Sequence, residues 1–407
     1  WTRVIETSRS GTSVHVPADA PLPPCVTAMP SSSSSPRDPT DQRFLARVRL
    51  ACVPGIGSRM HQILIERFGS AEAVFAAAGT EIAAIPKFGR RLAAAIATAA
   101  EDATAEDVVE LCRARGVTIM LEESAEYPGL LRRIADPPSL LFARGGLKPC
   151  DSLAVAIVGA RHATTYGRRI AWQLAGGLAR AGYTIVSGLA RGIDAAAHRG
   201  ALDAGGRTIG VLGSGVLRIY PPEHAELATE IVQHGCLLSE SPPLLEPFPG
   251  CFPQRNRIVS GMCLGTVVVE ASERSGALIT ARLAAEQGRE VFAVPGPIDA
   301  RMSRGCHQLI RDGVRLVQSV DDILEELGPL FETTTSADGR RITSPAELQL
   351  DAVERRLLDA VDPGIAVAID DLVETSGLAA SQVLATLGVL EMRRLLRRLP
   401  GNRIARV

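Results

Sequence analysis

A chain of 407 residues exceeds one ordinary domain, so two to four units with ample apolar sequence for packed cores are expected. Its charge is balanced, 44 Lys and Arg against 45 Asp and Glu for a formal net of -1, which excludes a uniformly basic nucleic-acid binder but allows a local basic patch. No apolar run reaches the roughly 20 residues that span a bilayer, and eight scattered cysteines include no Cys-x-x-Cys pair and no histidine at metal-ligand spacing; we expect a soluble, cytoplasmic protein with reduced thiols, without membrane or metal.

Residues 1–40 hold seven prolines around the serine run Ser31 to Ser35 and read as a disordered tail. The tail lacks the cationic start and long apolar stretch of a signal peptide. It opens on Trp1 rather than a methionine, which leaves the natural start site open. A helical domain over 41–110 follows, interrupted by the turns Val53-Pro54-Gly55-Ile56-Gly57 and Ile85-Pro86-Lys87-Phe88-Gly89. Each turn resembles a helix-hairpin-helix hairpin, whose glycine lets the backbone approach a DNA phosphate and whose next helix aims its first amides at it. A plain bundle turn accounts for the same residues.

Residues 111–327 form the largest unit. Its first part carries Tyr127-Pro128-Gly129 and Asp136-Pro137-Pro138, punctuation that ends one helix and introduces a leading strand or cap. Beyond it, strands are predicted near 153–158, 183–186, 207–212, 236–239, 266–270, 290–294 and 314–317, with amphipathic helices between them. Continuous Val/Ile/Leu runs of this kind are buried on both faces, which implies a mainly parallel, doubly wound Rossmann-like α/β sheet. Ligands in such sheets sit beyond the carboxyl ends of the strands.

The marked turns fall at those ends. Gly159-Ala160-Arg161 closes the first strand and puts a cation beside small residues, a phosphate site by composition. Ser187-Gly188-Leu189-Ala190-Arg191-Gly192-Ile193-Asp194 offers backbone amides and a hydroxyl to an anion, with Asp194 suited to capping. Asp194 and His198 are also i,i+4 neighbours, so a proton shuttle or metal pair is the alternative to a cap and a buried hydrogen bond. Phe252-Pro253-Gln254-Arg255-Asn256-Arg257 carries two arginines, whose planar forks fit phosphate oxygens. Glu270, before Ser275 and Gly276 at another helix start, is read as a general base or as the partner of Arg255 or Arg257. Neither Gly-x-Gly-x-x-Gly at the third turn (210–215) nor a Gly-Lys-Ser/Thr loop occurs, so neither NAD nor ATP is expected as a cofactor.

A polar linker at 328–345 leads to a unit over 346–407 with helical patterns at 351–361, 369–376 and 379–396 and a basic helix-turn-strand end, a winged-helix pattern. Its basic terminus suits nucleic acid or protein contacts equally.

Taken in order, the Gly159, Ser187 and Phe252 motifs, Tyr220-Pro221, Glu270-Ala271-Ser272-Glu273-Arg274-Ser275-Gly276-Ala277-Leu278-Ile279-Thr280 and Val294-Pro295-Gly296 closely resemble the DNA-processing protein A family, also called Smf, over about 125–327. The resemblance implies a non-enzymatic, cytoplasmic homodimer that binds single-stranded DNA and loads the recombinase RecA during natural transformation. It implies DNA contacts at Gly159, Arg161, Ser187, Gly188, Arg255, Asn256, Arg257, Ser275 and Gly276. Two departures stand out: Ala160 where the family has serine, and Leu217 where it has an acid. Phosphate contacts should dominate, with Tyr220, Phe248 and Phe252 the stacking candidates. Two rival classes remain: a nucleotide phosphoribohydrolase, whose Pro-Gly-Gly step is replaced here by Gly261-Met262-Cys263-Leu264, and a winged-helix transcription regulator.

Overall fold

The computed structural model describes residues 42–327, 334–335, 341–342, 347, 350–362 and 365–406. The expected tail, and nearly all of the expected linker, lie outside them. In the N-terminal unit, α1 (Gln42–Cys52), α2 (Ser58–Phe68), α3 (Ala71–Ala76), α4 (Gly79–Ala83) and α5 (Gly89–Glu101) close around Leu50, Leu64, Val74, Ile82 and Ile96. The turn glycine Gly55 takes a φ of 92°, and its Cα faces Leu92 on the first turns of α5. The two hairpins therefore lie side by side.

After α6 (Thr104–Ala114) the chain enters a nine-stranded sheet. Strands β1 (Val117–Leu121) and β2 (Leu140–Gly145), separated by the short α7 (Gly129–Arg132), pair antiparallel, and β2 joins β6 (Cys236–Ser239) in the same sense. Every other pairing is parallel, in the order β6, β5 (Thr208–Val211), β4 (Thr184–Ser187), β3 (Ala154–Gly159), β7 (Gly265–Val269), β8 (Glu290–Ala293), β9 (Arg315–Leu316). The fold is thus a Rossmann-like, mainly parallel doubly wound sheet, and the chain reverses its direction of travel between β3 and β7. That reversal opens a crevice at their carboxyl ends.

Alternation along the strands builds a core on each face. Ala154, Ala156, Val158 and Val268 meet α11 (Cys251–Gly261), α12 (Gly276–Glu286) and α13 (Arg304–Arg311). Val155, Ile157, Val267 and Val269 meet α8 (Thr165–Arg180), α9 (Ile193–Asp203) and α14 (Val320–Leu327). Helix α10 (Ala225–His234) covers Leu212 and Leu237. Thr164 starts α8 by accepting from the Gly167 amide at 3.2 Å, the cap its residue type favours.

A two-residue ladder, β10 (Thr334–Thr335) with β11 (Arg341–Ile342), precedes the C-terminal unit. There α15 (Ala352–Asp359), α16 (Ile369–Ser376) and α17 (Ala380–Met392) pack on an antiparallel sheet ordered β12 (Ala366–Ala368), β14 (Arg403–Arg406), β13 (Leu396–Leu399), a winged helix. Asp351 and Glu354 cap α15 reciprocally, and Gly377 ends α16 in the left-handed conformation. An Arg394–Asp321 ion pair joins the unit to α14.

Candidate nucleic-acid interface

The crevice at the switch point is a cleft of about 540 Å³. It is bounded by the turn after β3 (Gly159, Arg161), the turn after β4 (Gly188), one side of α11 (Arg255, Asn256) and the start of α12 (Ser275, Gly276). Seven of the nine expected contact residues thus share one cleft.

Each wall has a local cause. A Cβ on Gly159 would lie 1.8 Å from the Val269 carbonyl oxygen, so only glycine lets β3 and β7 end this close together. Ser275 accepts from the Ala277 amide at 3.3 Å and opens α12 with its positive dipole end in the cleft, where Gly276 is exposed. Arg161 is exposed, and its guanidinium lies 5.0 Å from the centre of the Phe252 ring. Phe252 in turn packs on Tyr220, with centroids 5.6 Å apart. Of the three aromatic candidates only Phe252 lines the cleft.

Arg255 forms the inner wall. It is 6% exposed, its Nη1 donates to the Val211 carbonyl at 2.7 Å, and its buried Nε has no hydrogen-bond partner. Burial lowers its pKa, opposed by the carboxylate of Asp194. Asp194 accepts from the Gly188 and Ala190 amides at 3.1 and 3.3 Å and so closes the loop after β4. Burial raises its pKa despite Arg255 and those two amides.

Three expectations are corrected by the geometry. Arg257 is absent from the cleft: 200° around α11 from Arg255, it is held by Asp136 and Glu240 at 3.0 and 2.8 Å. Burial opposes its charge, but the two carboxylates outweigh burial and raise its pKa. Ser187 is also outside the cleft, because its hydroxyl donates to the Ile157 carbonyl at 2.6 Å and ties β4 to β3. Glu270 pairs with neither arginine. Its carboxylate accepts from the Thr164 amide at 2.8 Å and from the Thr164 hydroxyl, which fixes the N-terminus of α8 and keeps Glu270 out of the cleft lining. Asp194 and His198 take the loop-closing cap and the buried hydrogen bond, not the alternative of a proton shuttle or metal pair.

His198 is fully buried, with Nδ1 2.7 Å from the Thr208 hydroxyl. That hydroxyl donates to the Ile185 carbonyl at 2.8 Å, so Nδ1 carries the proton and Nε2 is left bare and unpartnered. Burial, then the charges of His224 and Arg255, lower its pKa to about 3. A histidine held neutral in the fold but titrating near 6.5 when unfolded stabilises fully above 6.5, and that stability is lost as pH falls from 6.5 towards 3. In urea melts over this range, His198→Leu is expected to flatten the acid loss of stability by up to ~1.4 kcal/mol per pH unit relative to the parent; parallel curves would refute the assignment.

Among the described residues no three His, Cys, Asp or Glu side chains gather as a metal site, seven cysteines are free thiols, and no single helix is long and apolar enough to cross a membrane. The departure at Leu217 is absorbed by packing with Val216 and Phe142. Ile279 and Thr280 complete the cleft wall unforeseen; Thr280 stands four residues after Gly276, the spacing that puts both on one helix face.

A doubly wound sheet with an arginine-walled cleft at its switch point, followed by a winged helix, defines a class of nucleotide- or nucleic-acid-handling proteins. The description "DNA recombination-mediator protein A" matches residues 118–328, and "DprA winged helix domain" matches 342–402. The chain is 33% identical over 385 residues to Protein Smf of Synechocystis, covering 87% of this chain and 96% of that one. It is 44% identical over 221 residues to DNA processing protein DprA of Bacillus subtilis, covering 54% and 74%. The solved structure of DNA processing protein A from Streptococcus pneumoniae superposes with a TM-score of 0.60 at 34% identity, over 71% of this chain and 97% of that one. The chain belongs to the DNA-processing protein A (DprA/Smf) family, whose role is DNA processing.

Proposed function

We propose that the cleft binds single-stranded DNA without sequence preference, and that the protein, as a cytoplasmic homodimer, loads RecA onto incoming strands during natural transformation without itself being an enzyme. The observation that carries the DNA reading is the wall of the cleft: an exposed arginine on an aromatic ring beside an open helix N-terminus, backed by the guanidinium of Arg255. These donors suit phosphate oxygens, and Phe252 adds a stacking edge. A duplex keeps its phosphates on the outside of a stacked rod, whereas a single strand can lead its backbone into a narrow cleft. The mediator role rests on family membership.

The test is RecA strand exchange on DNA coated with single-strand-binding protein, with and without this chain. Stimulation is expected; oligonucleotide binding without stimulation would remove the mediator role and leave a DNA binder. The phosphoribohydrolase reading is disfavoured because Glu270 is engaged by Thr164 away from the cleft, while Asp194, the carboxylate that lines it, is held by the Gly188 and Ala190 amides. Incubation with adenosine monophosphate is expected to release no adenine, and release would reverse that judgement. The regulator reading is disfavoured by α17, where a reading helix would sit in the groove, because it carries no Lys or Arg from Ala380 to Met392.

A further inference from the structure

Three consecutive residues of α11 serve two places. Arg255 and Asn256 line the cleft, while Arg257 points away from it into a joint between three distant segments. Its Nε donates to the carbonyl and carboxylate of Asp136 at 3.1 and 3.0 Å. Nη1 donates to the Gln254 carbonyl at 3.2 Å. Nη2 donates to Glu240 at 2.8 Å and to the hydroxyl of Ser58 at 2.9 Å.

Ser58 is the first residue of α2, directly after the first hairpin turn, and is 199 residues away in sequence. Asp136 belongs to the segment between α7 and β2, and Glu240 follows β6. One guanidinium between two carboxylates leaves a net negative joint, which repels a phosphate, and the Arg257 side chain is only 9% exposed. Its fork fits four residues at once, as a lysine ammonium on a flexible stem would not.

We propose that Arg257 is a positioning residue: it locks the N-terminal hairpin domain to α11, holds Arg255 and Asn256 in register with the cleft, and contributes no phosphate contact. This rests on the cleft being the DNA site, but the joint itself is testable without DNA. Two measurements on the full chain separate the possibilities: oligo-dT binding by fluorescence anisotropy across a salt series, and the radius of gyration by small-angle scattering. For single strands, each phosphate contact adds about −0.7 to the slope of log affinity against log salt. Arg161→Ala is expected to flatten that slope by about 0.7. Arg257→Gln should leave the slope unchanged, lower affinity several-fold and enlarge the radius of gyration as the hairpin domain loosens. Ser58→Ala, which keeps both ion pairs, should give a smaller enlargement with the slope again unchanged, and it carries the test if Arg257→Gln does not fold. A slope flattened by Arg257→Gln as much as by Arg161→Ala would make Arg257 a phosphate ligand and overturn the proposal. An unchanged radius in both variants would overturn it too. If the parent bound no oligonucleotide, the DNA reading would fail while the scattering result still judged the joint.

Discussion

Gly188→Ala is expected to weaken single-strand binding by at least roughly tenfold and to cost about 1–3 kcal/mol of stability, the range for overpacking a filled interior. A Cβ at this position would lie 1.7 Å from Nη1 of Arg255 and 2.3 Å from its Cζ. The backbone of residue 188 is not the obstacle, since its φ is not among the positive ones. The obstacle is that Arg255 is buried and anchored to the Val211 carbonyl, so its head cannot swing aside without leaving the wall. Displacement also removes the cation facing Asp194, a buried carboxylate. Gly276→Ala is the matched control in the same cleft, because an added Cβ there meets nothing within 4 Å. Anisotropy titrations and thermal melts of the two variants check the contrast; Gly188→Ala behaving like Gly276→Ala would mean that Arg255 does not hold its place against residue 188.

The strands of the large domain were legible because buried parallel strands write themselves as apolar runs: Ala154–Gly159, Cys236–Ser239 and Gly265–Val269 fall within a residue of the expected positions. The antiparallel pair β1 and β2 was less visible, since an edge hairpin split by Tyr127-Pro128-Gly129 reads as punctuation. Strand β12 was missed for a different reason. Three residues, Ala366–Ala368, carry no period of their own, and pairing with β14 alone makes them a strand.

The same distinction runs through the site. Gly159, Arg161 and the Ser275-Gly276 helix start follow from local sequence, because a strand end and a helix start fix where they point. Arg255 and Arg257 are identical in type and two positions apart, yet one walls the cleft and the other binds a joint. Their fates depend on partners at positions 194 and 211 for the first and 58, 136 and 240 for the second, which no local pattern announces. Glu270 shows this too: among arginines in sequence, it is taken by Thr164 106 residues upstream.

Arg161→Ala should be the other large functional loss, with a signature unlike that of Gly188→Ala. Arg161 is exposed and packs on Phe252 rather than on a carboxylate, so its removal should leave the melting temperature nearly unchanged. A charge-assisted contact to phosphate contributes about 1.5–3 kcal/mol, which sets an expected affinity loss of roughly 10- to 100-fold at low salt. The loss should shrink as salt rises, because the parent gives up counterion release that the variant never had. Phe252→Leu separates ring from charge: it keeps the guanidinium but removes the stacking face, so affinity should fall by about 1–3 kcal/mol while the salt slope stays that of the parent. Equal slopes for Arg161→Ala and the parent would place Arg161 on the rim as a solvated cation, and would leave phosphate recognition to Arg255 and the amides of α12.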